Sequence, residues 1–186
     1  MEKTLSFLKN ALLGKRVGAI SRSSRYVIEA VLENIGSEKY DKIVEYGPGD
    51  GVMTVELLKR LSPNGKLLAV EIEQSFIKDL ERLQDKRLII VNGGVEEVSR
   101  SLRKYGFTDA DLVVSSIPFT FISKDHREEI IRNTKRNMKG NGKLIIFHQY
   151  SLLMLPILKK YFSLVEKRFE PRNFFPCFIF VARNRI

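Results

Sequence analysis

The sequence of 186 residues predicts an α/β fold, with a mostly parallel sheet of seven strands, helices on both faces and an antiparallel hairpin at the C-terminal end. Apolar strand-like runs alternate with helix-like segments, which is typical of a parallel sheet covered on both faces. The first run, at 43–46, ends in a glycine-rich turn. The last two runs, 162–170 and 175–183, are joined by only four residues, which is too short for a crossover helix and favours antiparallel pairing.

The remaining helices and strands are predicted from the spacing of apolar residues and from the capping and turn residues between them. Leu5, Leu8 and Leu12 recur at helical spacing and predict a short amphipathic helix. Ser23 and Ser24 can cap a second helix over 25–35, before Gly36. Further along we expect helices at 52–61, 74–84, 95–106, 125–138 and about 151–160, strands at 67–72, 87–93, 110–117 and 143–150, a turn at 62–65 and a loop at 139–142. We expect residues 1–36 to form a cap of helices packed on a single globular cofactor-binding domain at 37–186.

Charge and composition narrow the choice of partners. Lys and Arg number 32 against 22 Asp and Glu, a net charge of +10, which favours a polyanion such as nucleic acid or an anionic membrane surface. Residues 1–25 contain six basic residues and one acidic residue. No apolar run is long enough to cross a bilayer, and the N-terminus lacks the layout of a signal peptide, so we expect a cytoplasmic protein, peripheral at most on the inner membrane face. Cys177, the single cysteine, excludes an internal disulfide and is expected in the core.

The glycine-rich turn, EYGPGDG, indicates a nucleotide-binding loop. Gly47, Gly49 and Gly51 allow a tight turn and a close approach of backbone to ligand. The spacing differs from the dinucleotide fingerprint, in which Asp50 would repel a pyrophosphate. The pattern E-x-G-x-G-x-G resembles the first motif of class I methyltransferases, whose cofactor S-adenosylmethionine carries a sulfonium. Glu71, which ends the next strand, can accept hydrogen bonds from both ribose hydroxyls of an adenosine.

A second motif, SSIPF at 115–119, stands where amino-directed adenine methyltransferases carry N-P-P-Y or N-L-P-Y. In those enzymes the Asn accepts protons of the target nitrogen and the aromatic residue stacks on the base. Ser116 takes the place of the Asn, and a hydroxyl cannot reproduce the geometry of an amide. Phe119 takes the place of the aromatic residue. This difference weakens the interpretation as an adenine methyltransferase, and it stays open that Pro118 only ends a strand and Phe119 only packs under a loop.

Nearly the whole chain resembles the bacterial phospholipid N-methyltransferases of the phosphatidylethanolamine type, which are related to the ribosomal RNA adenine dimethylases. The matching pieces are FLKNALLGKRVGAISRSS, VEYGPGDG, AVEIEQSF, SSIPF, KGNGKLIIFHQYS and RNFFPCFIFVAR. The resemblance implies a Rossmann-like class I methyltransferase fold, S-adenosylmethionine as cofactor, a phospholipid amine as substrate and an N-terminal helix that docks on the anionic bilayer. One departure is Gly93-Gly94-Val95, where the family usually carries G-D-A.

The expected site combines residues from both motifs and from the end of the fifth strand. His148 has a suitable pKa to relay a proton from the amine. Aromatic faces bind the quaternary ammonium that repeated methylation produces, and arginines bind phosphate. The expected catalytic residues are His148, Tyr150, Ser116 and Phe119; the cofactor-binding residues Glu45, Tyr46, Gly47, Gly49, Gly51, Glu71, Ile72, Gly94, Val95 and Ser115; the substrate-binding residues Tyr26, Arg22, Pro118 and Arg172, with no metal.

Two other functions stay open at this point. The basic charge also suits an RNA or DNA adenine N6-methyltransferase, whose binding to nucleic acid would depend strongly on salt. A protein that only binds the cofactor is the third interpretation.

Overall fold

The computed structural model describes residues 23–173 and 175–184, with the exception of the side chains of His148 and Gln149. Its seven strands form one sheet in the order β3-β2-β1-β4-β5-β7-β6. Six strands are parallel to one another, and β7 is antiparallel to both β5 and β6. The predicted fold is thus confirmed. The strands are β1 (Tyr40–Tyr46), β2 (Leu61–Glu71), β3 (Leu88–Asn92), β4 (Ala110–Ser115), β5 (Met138–Gln149), β6 (Leu164–Glu170) and β7 (Cys177–Arg183).

Helices cover both faces of the sheet, so its central strands are buried on both sides. The helices are α1 (Arg25–Ile35), α2 (Val52–Leu58), α3 (Gln74–Glu81), α4 (Val95–Arg100), α5 (Lys124–Arg136) and α6 (Leu155–Tyr161), with short 3-10 helices at Leu102–Tyr105 and Phe119–Phe121. Alternation along β1 sends Val44 and Tyr46 into the core beneath α4, α5 and α6. Ile43, on the opposite face, packs against α1 and α2. Each fully buried aliphatic side chain contributes about 1.5–3 kcal/mol.

Both ends of α1 follow the sequence signals. The Ser24 side chain accepts a hydrogen bond from the backbone N–H of Val27 at 3.4 Å, as an N-cap residue does. At the other end, Lys143 of β5 contacts the last carbonyl groups. Its Nζ donates to the carbonyl oxygens of Asn34 and Ile35 at 2.7 and 3.0 Å, and the Tyr40 hydroxyl also donates to that of Ile35 at 2.6 Å, so side chains satisfy carbonyls that have no partner within the helix.

Two predicted loops are instead parts of strands. The expected turn at 62–65 lies within β2, and the expected loop at 139–142 lies within β5. Each segment lies where the pairing with the neighbouring strand is irregular. In β2, Leu61 pairs with Tyr40 and Lys66 pairs with Lys42, so four residues of β2 lie opposite a single residue of β1. The Asp111 carboxylate accepts hydrogen bonds from the backbone N–H groups of Asp41 and Lys42, at 2.9 and 2.8 Å, which satisfies donors at this irregularity.

Other boundaries shift by a few residues. The helix expected at 95–106 divides into α4 and a 3-10 helix, and the connection between β6 and β7 is six residues, 171–176. Cys177 is fully buried, as expected. In the part of the chain that the structure describes, no helix is both long and apolar enough to cross a membrane. The amphipathic helix predicted around Leu5–Leu12 lies outside the described residues.

Candidate active site

A cavity of about 300 Å³ opens at the carboxyl ends of the parallel strands. This edge is where ligands bind in open α/β sheets. The loops that follow β1 to β5 all contribute to its wall. The lining residues are Ser23, Glu45, Gly47, Pro48, Gly49, Asp50, Val52, Met53, Val70, Glu71, Ile72, Glu73, Phe76, Gly93, Gly94, Val95, Glu96, Ser116, Ile117, Pro118, Thr120, Phe121, Ile122, Phe147 and Tyr150.

The glycine-rich loop brings backbone to the cavity wall. The N–H of Gly47 donates to the carbonyl oxygen of Val70 at 3.0 Å, which continues the β1–β2 pairing past the strand end. Gly47 has φ +72°, and a Cβ there would lie 2.8 Å from the Ile117 side chain. Only glycine fits this conformation and this close approach without strain.

Glu71 joins two of the cavity loops. Its Oε1 accepts hydrogen bonds from the backbone N–H groups of Ile72 and Glu73, at 2.8 and 3.0 Å, and its Oε2 accepts one from Gly49 at 3.1 Å. Burial raises the pKa of Glu71, and these backbone donors act in the opposite direction. The carboxylate therefore stands where the loop after β1 meets the loop after β2, positioned to accept hydroxyl donors from a ligand.

Glu45 is the most deeply buried acid of the cavity wall, with 2% of its surface exposed. The Thr54 hydroxyl donates to its Oε2 at 2.7 Å. Burial raises the pKa of Glu45 to about 8, and the nearby charge of Glu71 adds to the rise. The side chain is therefore largely protonated near neutral pH and would ionise beside a bound cation.

The wall is acidic although the chain is basic. Five lining residues are carboxylic acids: Glu45, Asp50, Glu71, Glu73 and Glu96. No described lining residue is a lysine or arginine, against a net charge of +10 for the whole chain. Such a wall attracts a cationic ligand and repels a phosphate. S-Adenosylmethionine carries a sulfonium and an ammonium and no phosphate, so these residues fit that cofactor.

The acceptor side of the cavity comes from the SSIPF motif and the end of β5. The Ser116 hydroxyl donates a hydrogen bond to the carbonyl oxygen of Gly47. Pro118, Phe121 and Tyr150 line the same side. Burial raises the pKa of the Tyr150 phenol, which stays protonated. Its ring meets the edge of Phe175, with 6.3 Å between the ring centroids.

Most of the residues expected from the sequence line the cavity. These are Glu45, Gly47, Gly49, Glu71, Ile72, Gly94, Val95, Ser116, Pro118 and Tyr150. Arg22 and the side chain of His148 lie outside the described part of the structure.

The other expected residues are not part of the cavity wall. The Tyr46 side chain is buried in the core beneath α4, α5 and α6, where its hydroxyl lies 3.1 Å from Thr134 Oγ1. Phe119, expected as a catalytic residue, is fully buried in the core beneath α5 and α6, and Phe121, two residues later, lines the cavity instead. Gly51, Ser115, Tyr26 and Arg172 are also absent from the wall.

Sequence reasoning missed several lining residues. Phe76 is a half-buried residue of α3, and Phe147 lies in β5, where its buried neighbours make it look like one more core residue. Ser23 was expected only as a capping residue. An aromatic residue five positions after Glu71 was a usable signal for Phe76, but nothing local distinguishes Phe147 from its buried neighbours.

Comparison with known proteins agrees with this geometry. The model of the ribosomal RNA adenine dimethylase family matches residues 22–156. The chain belongs to this family. An ornithine lipid N-methyltransferase of Singulisphaera acidiphila is 25% identical over 173 residues, covering 92% of this chain and 90% of that protein. Ribosomal RNA small subunit methyltransferase A of Blochmanniella pennsylvanica is 22% identical, covering 82% of this chain and 64% of that protein.

Solved structures share the fold of this dimethylase family member. Precorrin-6y C5,15-methyltransferase of Geobacter metallireducens aligns with a TM-score of 0.68 and 17% identity, over 88% of this chain and 90% of that one. An N-methyltransferase of Haemonchus contortus, in complex with phosphomonomethylethanolamine and S-adenosylhomocysteine, aligns with a TM-score of 0.66 and 14% identity, over 86% and 52%. The protein is an S-adenosylmethionine-dependent methyltransferase with a Rossmann-like fold. Among the described residues, no cluster of acidic, His and Cys side chains could hold a metal ion.

Proposed function

We propose that this enzyme methylates the amino headgroup of a membrane lipid, such as phosphatidylethanolamine, at the membrane surface. The observation that carries the proposal is the combination of an acidic cavity with an exposed apolar rim. A cationic amine suits the interior of such a cavity, and acyl chains suit its rim.

The opening of the cavity is surrounded by exposed apolar side chains, which we call the rim. Seven large hydrophobic side chains are exposed among the described residues, and four of them line the cavity: Val52, Ile72, Phe121 and Tyr150. A fifth, Phe175, contacts the Tyr150 ring. Scattered exposed apolar residues need no explanation, but a group around one opening marks a surface for an apolar partner.

The chain's own contribution to the reaction is binding, orientation and exclusion of water. Bound S-adenosylmethionine supplies an electrophilic methyl group on a sulfonium. An alkylammonium has no free lone pair, so the substrate amine must lose a proton before it can attack. The Ser116 hydroxyl, whose hydrogen is engaged by Gly47, keeps lone pairs that can accept a hydrogen bond from the amine and orient it.

Membrane attachment is part of the proposal. Six basic residues within 1–25 would each contribute about 1 kcal/mol near an anionic leaflet, besides any burial of apolar side chains in the interface. The similarity to the ornithine lipid N-methyltransferase, which extends over 92% of this chain, supports a lipid amine as the acceptor.

Adenine N6-methylation of RNA is the second candidate. The family model is named for ribosomal RNA adenine dimethylases, and a net charge of +10 suits a polyanion. Against it, Ser116 stands where the adenine enzymes carry an amide, and no described residue of the cavity wall is basic.

Transfer of tritium from labelled S-adenosylmethionine tests the two functions side by side. The acceptors are anionic vesicles containing phosphatidylethanolamine, equivalent vesicles containing ornithine lipid, vesicles of phosphatidylcholine and phosphatidylglycerol alone, and unmodified small-subunit ribosomal RNA. We expect label in the aminolipids only. Label in the RNA and in no lipid would refute the proposal.

A pair of variants tests the role of the rim. Phe121→Ser should lower lipid methylation while leaving the binding of S-adenosylhomocysteine intact. Phe169→Ser is the matched control, because Phe169 is an exposed phenylalanine on β6 and does not line the cavity. Equal losses in the two variants would contradict a specific role for the rim.

A further inference from the structure

Two arginines are gathered on one aromatic ring beside the cavity. The guanidinium carbon of Arg172 lies 4.6 Å from the centroid of the Tyr26 ring, and that of Arg25 lies 5.4 Å from it. Guanidinium groups at this distance from an aromatic ring are held by cation–π attraction. The arginines come from distant parts of the chain, the start of α1 and the connection between β6 and β7.

We propose that Arg25 and Arg172, gathered on Tyr26, bind the anionic group of a zwitterionic amine substrate, a phosphate or a carboxylate a few bonds from the amine that is methylated. The inference rests on the proposed function, and it adds a subsite that distinguishes a zwitterionic headgroup from a simple amine.

A buried carboxylate fixes one of the two arginines in place. Glu170, with 1% of its surface exposed, accepts hydrogen bonds from Arg172 Nε and Nη2, both at 2.8 Å, and from the Arg172 backbone N–H at 3.1 Å. Hydrogen bonds from Arg172 lower the pKa of Glu170 to about 2. This two-point contact orients the guanidinium and leaves Nη1 for another acceptor.

The pairing of the local charges leaves hydrogen-bond donors for an anion. Glu170 also lies 3.8 Å from Arg168, but Arg168 has its own partner in Glu33, so Glu170 serves mainly Arg172. Arg25 contacts Glu29 at 3.7 Å, but both side chains are more than half exposed, and such a pair is weak. An anionic oxygen group that contacts Arg25 and Arg172 together would accept a hydrogen bond from Arg172 Nη1 and would replace the weak contact of Arg25 with Glu29.

The arginines adjoin the cavity through two short connections. Ser23, two residues before Arg25, lines the cavity. The backbone N–H of Ser24 donates to Asn173 Oδ1 at 3.2 Å, which joins the residue before Arg25 to the residue after Arg172. Asn173 in turn donates to the carbonyl oxygen of Phe175, the ring that contacts Tyr150 on the cavity wall.

The sign of the charge therefore differs between the cavity wall and the arginines that these connections join to it. The cavity wall carries five carboxylic acids and, in its described part, no basic residue, whereas the adjoining surface presents two arginines. A zwitterion with its amine in the cavity and its anion outside matches this polarity. A simple amine matches only the cavity.

The test compares three lipid acceptors in the same neutral detergent micelles. Phosphatidylethanolamine carries an amine and a phosphate, ornithine lipid an amine and a carboxylate, and a dialkyl amine lipid carries no anion. The variants are Arg25→Gln, which leaves the Glu170 pair intact, and Arg172→Gln. Arg183→Gln is the matched control, an arginine at the opposite end of the same hairpin that pairs with Glu166.

We expect the wild-type enzyme to prefer at least one zwitterion over the simple amine. Each of the two variants should raise KM for that zwitterion about ten- to a hundredfold, the effect of losing one charged hydrogen bond, with little change for the simple amine. The favoured zwitterion identifies the anion as phosphate or carboxylate. Binding of S-adenosylhomocysteine should stay unchanged in both variants and in Arg183→Gln.

Two results would overturn the subsite and leave the proposed function standing: no wild-type preference for a zwitterion, or variants that affect all three lipids alike. Methylation of none of the three lipids would remove the proposed function and the subsite together. Arg172→Gln removes a positive charge that compensates the buried Glu170 carboxylate, so this variant can fail to fold. In that case Arg25→Gln alone decides whether the subsite exists.

Discussion

Replacing Glu45 with glutamine should remove a pH dependence from cofactor binding. Burial raises the pKa of Glu45 to about 8, so the free protein holds this carboxyl largely protonated at pH 7. A ligand that brings an ammonium into the cavity favours the ionised form and must therefore displace a proton. Glutamine can still accept the hydrogen bond from the Thr54 hydroxyl, but it has no proton to release.

The size of the effect follows from the ionised fraction. A carboxyl with a pKa of about 8 is about 1% ionised at pH 6, about 9% at pH 7 and half ionised at pH 8. If the complex requires the carboxylate, the association constant rises about tenfold from pH 6 to 7 and about fivefold more from pH 7 to 8. Titration calorimetry with S-adenosylhomocysteine at these three pH values, in buffers of different ionisation enthalpy, measures both the affinity and the released proton.

The difference in pH dependence of affinity between the wild-type protein and Glu45→Gln reports on Glu45 alone, because the titration of the ligand itself is common to both.

The stability of the free protein should fall with rising pH, whereas the affinity for the ligand should rise. A raised pKa means that the folded protein binds a proton which the unfolded chain releases above about pH 4.5, so Glu45 lowers stability as pH rises from there to 8. If Glu45→Gln and wild type showed the same pH dependence of affinity, the reasoning would be refuted.

Three other changes have expected outcomes. Glu71→Ala should weaken S-adenosylhomocysteine binding about a hundredfold or more in calorimetry, since it removes a charged acceptor from the cavity; undiminished affinity would exclude Glu71 from the site. Gly47→Ala should cost more stability in urea unfolding than Gly106→Ala, because both have positive φ but only the Cβ at Gly47 meets a side chain, at 2.8 Å; equal losses would argue against the clash. Lys143→Met should lower the unfolding free energy by about 1–3 kcal/mol, because the Asn34 carbonyl loses its charged donor while that of Ile35 keeps only the Tyr40 hydroxyl, and an unchanged urea midpoint would count against this cap.

Local signals predicted the parts of the structure that local physics determines. The α1 helix begins at Arg25 because the Ser24 side chain caps it, and both features are readable in the sequence. Glu45 and Glu71 were expected at the cavity because parallel strands bring their carboxyl ends to one edge of the sheet. The parallel sheet followed from strands that alternate with helices and are apolar on both faces, and the final hairpin followed from a short connection.

The errors arose where tertiary contacts override local preference. The segment at 62–65 has the composition of a turn, yet it lies in β2, and the Asp111 carboxylate bonds two N–H groups beside the irregular pairing. In the SSIPF motif, Phe119 was assigned to the site and Phe121 occupies the rim. The direction of each ring depends on the short 3-10 helix at this point, which sequence spacing alone does not specify.

The position of β7 has a consequence for the order of folding. β6 is hydrogen-bonded to β7 and to no other described strand, and β7 lies between it and β5. β6 therefore cannot join the sheet until the later strand has been synthesised and has inserted beside β5. The bond from Ser24 to Asn173 spans 149 residues and must also wait. During translation, the edge of the cavity at Ser23 would be completed only after Asn173 has left the ribosome.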